Sequence, residues 1–85
     1  MREIALTPLE LLRAGEWGLV TDVCGQVGLV ARLGELGLRP GARVRMLSPG
    51  SPCLFQIGQS RLSLRTEASC QVLVRPLPSE ATGDL

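Results

Sequence analysis

Val27-Gly28-Leu29-Val30-Ala31-Arg32-Leu33-Gly34-Glu35-Leu36-Gly37-Leu38-Arg39-Pro40-Gly41 holds a helix, its stop signal and a turn in one unbroken run. Leu29, Val30, Leu33 and Leu36 recur at helical spacing and form one apolar stripe, with Arg32 and Glu35 facing away. Gly34 weakens the helix by roughly 1 kcal/mol relative to Ala, so it needs support from packing. Gly37 is the natural left-handed C-cap, and Leu38 is the apolar residue that packs back after it. Arg39-Pro40-Gly41 then turns the chain, Pro presetting φ and Gly taking the positive value. The run decides the fold because a period of two replaces the helical one immediately after it.

Downstream, Val44 and Met46 alternate with Arg43 and Arg45, and Ser48-Pro49-Gly50-Ser51-Pro52 is a turn cluster. Cys53, Phe55 and Ile57 alternate with Leu54 and Gln56, and Gly58-Gln59 is a two-residue hairpin signal. Leu62 and Leu64 alternate with Arg61, Ser63 and Arg65. Residues 66–69 turn, and Val72 and Val74 alternate with Gln71, Leu73 and Arg75 before Pro76 and Pro78 end the sheet. Upstream, residues 16–23 carry β-branched and aromatic side chains and read as a strand. Val20 and Val23 stand three apart, so both face inward only across a bulge. Further upstream, Thr7-Pro8-Leu9-Glu10 predicts a helical turn, with Thr7 as N-cap, Pro8 at the first helical position and Glu10 closing a capping box. These elements predict a mainly β fold, a small five-stranded barrel with one α-helix inserted after the first strand. Closure would remove the vulnerable edges of so short a sheet. The domain spans residues 1–78, and 79–85 read as a flexible polar tail.

At 85 residues and 9.1 kDa there is room for one core only. Size scaling has about 60% of the unfolded surface buried on folding, enough for one core without metal or disulfide support. Hydrophobic residues make up 45% of the chain, but Asp22, Arg32 and Glu35 interrupt the greasiest stretch, so no membrane span is expected. The start, Met1-Arg2-Glu3-Ile4, lacks the features of a secretory signal, and the chain reads as intracellular. The missing residue types exclude more. There is no His, Lys, Asn or Tyr, which removes the imidazole base, the Ser-His and Cys-His pairs, the phosphate-loop lysine and Schiff-base chemistry. No enzyme is expected from what remains. The net charge of +1 lacks the basic surplus of a nucleic-acid-tracking protein. Cys24, Cys53 and Cys70 are odd in number and form no CxxC pair, so they read as reduced, half-buried thiols.

Arg32-Leu33-Gly34-Glu35-Leu36-Gly37-Leu38-Arg39-Pro40-Gly41 resembles the R-L-x-x-L-G-L-x-P-G pattern of the FeoA family. Gly15-Glu16 and Gly18 are similar to that family's opening G-E-x-G, Gly50-Ser51-Pro52 to its G-D-P, and Leu62-Ser63-Leu64-Arg65 to its L-x-L-R. Val72 and Val74 match its usual final strand. Ser51 stands where the family commonly has Asp, and the link from Leu47 to Gly50 is shorter than in many relatives. The resemblance implies an SH3-like barrel that works by contact and not by catalysis. It would act in the cytoplasm, on FeoB, an inner-membrane ferrous-iron transporter with a cytoplasmic GTP-hydrolysing domain, and would be recruited to the membrane through that partner. With no helix-turn-helix, the chain looks like the stand-alone form.

Alternation places Leu19, Leu54 and Leu73 opposite the inward residues, with Trp17 in the same parity as Leu19. Four large apolar groups on that side are either covered by the barrel tail or by the N-terminal turn, through Leu9, Leu11 and Leu12, or form a self-association or partner surface. Arg32 is a second candidate docking element; Leu33 and Leu38 read first as core and cap contacts, and join it as docking candidates only if partly exposed at the helix exit. Arg43, Arg45, Arg61 and Arg65 project from neighbouring strands; with no aromatic platforms beside them they read as solvated strand faces, and no nucleic acid is expected. No cofactor is expected either. The alternative is a metal sensor or chaperone in which Cys24, Cys53 and Cys70 converge on Zn or Fe.

Overall fold

The structure, a computed structural model, describes residues 5–65 and 70–78. The turn expected at 66–69, the tail expected at 79–85 and the first four residues lie outside the described residues. Among the described residues there are six strands and one α-helix: β1 (Thr7–Pro8), a single 3-10 turn (Leu9–Leu11), β2 (Trp17–Gly25), α1 (Val27–Glu35), β3 (Arg43–Ser48), β4 (Cys53–Ile57), β5 (Ser60–Leu64) and β6 (Cys70–Pro76). All pair antiparallel in one sheet of order β1-β6-β2-β3-β4-β5.

This corrects the expected closed five-stranded barrel. The helix does follow β2, the first long strand, but the sheet has a sixth strand, and among the described residues no ladder joins β1 to β5. Thr7 and Pro8 pair with Val74 and Leu73 instead of opening a helix. Pro8 is the N-cap of the 3-10 turn, with no side-chain cap hydrogen bond, so the predicted capping box does not form. So short a strand containing proline suits a sheet edge, because Pro8 has no N–H to donate to a further strand.

The helix exit forms as its residues dictate. The Leu38 N–H donates to the Leu33 carbonyl at 2.9 Å and the Gly37 N–H to that of Gly34 at 3.0 Å, with Gly37 at φ +105°. This is a Schellman cap. Next, the Ala42 N–H donates to the Arg39 carbonyl at 3.0 Å with Gly41 at φ +96°, a type II turn with Pro40 and Gly41 in their preferred positions. Gly41 donates to the Val20 carbonyl and Val20 to that of Ala42, each at 2.8 Å, so the turn is stitched onto β2. The apolar stripe shifts at its end. Leu36 is 50% exposed, while Leu38, folded back by the cap, is 1% exposed and takes the buried place.

The register of β2 on β6 shifts between Val20 and Asp22. Thr21 is the extra residue, and its hydroxyl donates to the Leu73 carbonyl at 3.1 Å. That bulge turns both Val20 and Val23 toward the core, as their spacing requires. A second shift, between Met46 and Ser48 in β3, was not legible in the sequence. The core is the inner face of the sheet: Val20, Val44, Met46, Cys53, Phe55, Leu64, Cys70, Val72 and Val74, closed by Leu9 and Leu12 from the N-terminal segment and by Leu33 and Leu38 from the helix exit. Gly18 lies under Leu12. A Cβ there would meet Leu12 Cδ1 at 3.1 Å and Val74 at 3.2 Å, so the plug needs a glycine beneath it.

Candidate interaction surface

Residues paired directly across an antiparallel sheet share a face, so the registers define the outer surface. One row runs Arg75–Leu19–Arg43 across β6, β2 and β3. The next runs Trp17–Arg45–Gln56–Arg61 across β2, β3, β4 and β5. Arg43, Arg45 and Arg61 are exposed and Arg75 is half-buried. The Arg45 guanidinium carbon sits 5.9 Å from the centre of the Trp17 ring, within cation–π range. Trp17 is itself 41% exposed.

The other apolar candidates do not merge into one patch. Leu19, Leu54 and Leu73 are half-buried. Leu54 pairs with Ser63, while Leu73 pairs with Pro8 of β1 and Asp22 of β2. The Arg45–Gln56 rung lies between those two sites. Leu19 is flanked across the ladder by Arg75 and Arg43. At the helix exit, Leu33 (7% exposed) and Leu38 (1%) are core residues, which removes them from the candidate docking surface. Their burial follows from the Schellman cap, which points both toward the sheet. Arg32 is exposed on α1. The N-terminal segment covers the inner face and not the outer one: Leu9 and Leu12 are buried, whereas Leu11 is 67% exposed.

The three cysteines do not converge. Cys24 is exposed, while Cys53 and Cys70 are buried. The bulge sends Val23 inward opposite Val72 and so turns Cys24 outward opposite Gln71. Its thiol donates to Asp22 Oδ2 at 3.3 Å. That hydrogen bond, with the negative charge of Asp22, raises its pKa above the ordinary thiol value. Burial first, and the Glu10 carboxylate second, raise Cys53 and Cys70. Among the described residues, no group of three His, Cys, Asp or Glu is arranged to hold a metal ion. The three-cysteine metal site is therefore not assembled.

Some surface features escaped the sequence reading. Val27, at the first position of α1, is 86% exposed, and it borders a shallow apolar groove with Val23, Cys24, Val30 and Ala31. Val27 precedes the stripe of Leu29, Val30, Leu33 and Leu36, and nothing local in the sequence marks it as exposed. Glu10 Oε1 is buried without a hydrogen-bond partner, a consequence of Leu9 and Leu12 being driven inward on either side of it.

By architecture the described residues form a mainly β domain, six antiparallel strands in one sheet with a single α-helix. The chain belongs to the FeoA family: the family model described as the FeoA domain matches residues 7–76. Among solved structures, it is similar to a crystal structure of an iron uptake regulatory protein (FeoA), with a TM-score of 0.75 and 27% sequence identity over 86% of this chain and 100% of that one. No curated protein matches it significantly. Membership supports a role in ferrous-iron uptake. No helix among the described residues is long and apolar enough to cross a membrane.

Proposed function

We propose that this chain is a non-enzymatic accessory protein of bacterial ferrous-iron uptake that docks on the cytoplasmic part of a FeoB-type GTPase transporter and regulates it. The observation that carries this reading is the FeoA domain spanning residues 7–76. The chemistry agrees with it. A chain without His, Lys or Tyr has little with which to make or break bonds, and the sheet surface of the described residues exposes Arg43, Arg45 and Arg61. It acts by contact, in the cytoplasm, and reaches the inner membrane through its partner. It carries no cofactor in this role.

The test is co-purification of the full chain with the transporter from the same cell, with ferrous-iron uptake measured in its presence and absence. The expected result is a complex that survives native purification and a change in uptake when the chain is deleted. No complex under native conditions, with uptake unchanged, would contradict the proposal.

A further inference from the structure

We infer that the outer face of the sheet takes an acidic protein segment, with Arg43, Arg45, Arg61 and Arg75 as its carboxylate-binding groups around Trp17. The inference rests on the docking reading above, in that the segment belongs to the transporter. Two consecutive rows, Arg75–Leu19–Arg43 and Trp17–Arg45–Gln56–Arg61, place four guanidinium groups on one surface spanning five strands. Their cross-strand neighbours in those rows are Leu19, Trp17 and Gln56, none of them acidic. A strand surface built only for water gains by pairing opposite charges across the ladder, and this one does not.

The chain's described carboxylates lie outside those two rows. Glu10 turns one oxygen into the interior, and Glu16 accepts a hydrogen bond from the Arg13 N–H at 2.8 Å. Asp22 stands on the outer face one row further on, opposite Leu73 past the β2 bulge, where it accepts the hydrogen bond of the Cys24 thiol, and Glu35 ends α1. Among the described residues, the positive face has no internal counter-ion in its own rows, and charge complementarity calls for an anionic partner. The mixture on the face selects its class. RNA binding uses a series of aromatic platforms, and here one ring, Trp17, already lies against Arg45. Arginine and tryptophan beside a half-buried leucine are instead the residues that anchor protein interfaces. Arg presents a planar fork that grips a carboxylate through two hydrogen bonds.

The experiment measures affinity of the full chain for the transporter's cytoplasmic part, and separately for a glutamate-rich peptide, as salt rises from about 50 to 300 mM. The expected result is an affinity loss of about tenfold across that range, and at least about tenfold in Arg43→Glu/Arg45→Glu at low salt. Arg45→Lys keeps the charge but loses the fork and should cost about threefold. Arg43→Gln/Arg45→Gln, checked by thermal melting, guards against a folding defect in the charge-reversed variant. Binding to the transporter that is indifferent to salt and to all three variants would overturn the inference and leave the docking reading standing. No binding to the transporter, with salt- and arginine-dependent binding to the peptide, would overturn the docking reading and support the chemistry assigned to this face. Tighter binding to duplex RNA or to anionic phosphatidylserine vesicles than to either protein probe would overturn the assignment to an acidic protein.

Discussion

On the inner face of the sheet Val20, Val44, Phe55, Val72 and Val74 are sealed beneath Leu9 and Leu12, whereas on the outer face the same strands present Trp17, Leu19, Arg43, Arg45 and Arg75. The inner face is satisfied within the chain: each side chain there fills space left by another, down to the missing Cβ at Gly18. The outer face is not satisfied in that way, since its arginines meet apolar or neutral neighbours across the ladder. One set of strands thus carries two kinds of information. The residues of one parity hold the chain together, and those of the other are left for a partner. Substitutions on the two faces should therefore separate into losses of stability and losses of association.

The largest expected effect is on the inner face. Phe55, fully buried, should cost about 3–5 kcal/mol of unfolding free energy as Phe55→Ala, read by urea denaturation. A loss below about 1 kcal/mol would mean that this core is not close-packed and would break the contrast. Gly18→Ala comes next. Its new methyl would press on Leu12 and the branched Val74, with a cost of about 1–3 kcal/mol that a second change, Leu12→Ala, should partly relieve if the plug is the cause. The outer pair Arg43→Gln/Arg45→Gln should change stability by less than about 1 kcal/mol, the size of one exposed cation–π contact. A larger loss would mean the outer face also serves the fold.

The smallest effect sharpens the contrast at Cys24. Alkylation proceeds through the thiolate, and the Asp22 hydrogen bond raises the Cys24 pKa. Its labelling rate should therefore rise only above the ordinary thiol range. Asp22→Asn removes the negative charge, lowers that midpoint and should speed labelling a few-fold at fixed, mildly alkaline pH. Cys53 and Cys70, buried on the inner face, should label only on unfolding. Labelling of all three at one rate in the native protein would erase the distinction between the faces.

Much of this was legible from local chemistry. The Gly37 cap, the Pro40-Gly41 turn and the Gly58-Gln59 hairpin each need a glycine at positive φ, and each forms where such a residue stands. The bulge at Thr21 followed from the spacing of Val20 and Val23 alone. Thr7-Pro8 was misread because its residues suit a helix start and an edge strand equally well. Only the distant Val74 and Leu73 decide between them. Leu33 and Leu38 are buried as core and cap contacts, and only their alternative docking role falls away: whether the residues of a helix exit face a core or a partner depends on how the cap aims them, which periodicity does not state. The three cysteines seemed able to meet until the bulge reversed the parity of Cys24. The arginine rows, finally, depend on register, and register is set between strands.

Trp17 is the chain's only tryptophan and lies on the outer face beneath Arg45, so its fluorescence reports on that surface alone. Titrating the full chain with the transporter's cytoplasmic part should move its emission to shorter wavelength as water is displaced, with a midpoint that shifts in Arg43→Glu/Arg45→Glu. A complex formed at the same concentrations with Trp17 emission unchanged would contradict the account, because contact would then run through some other part of the molecule.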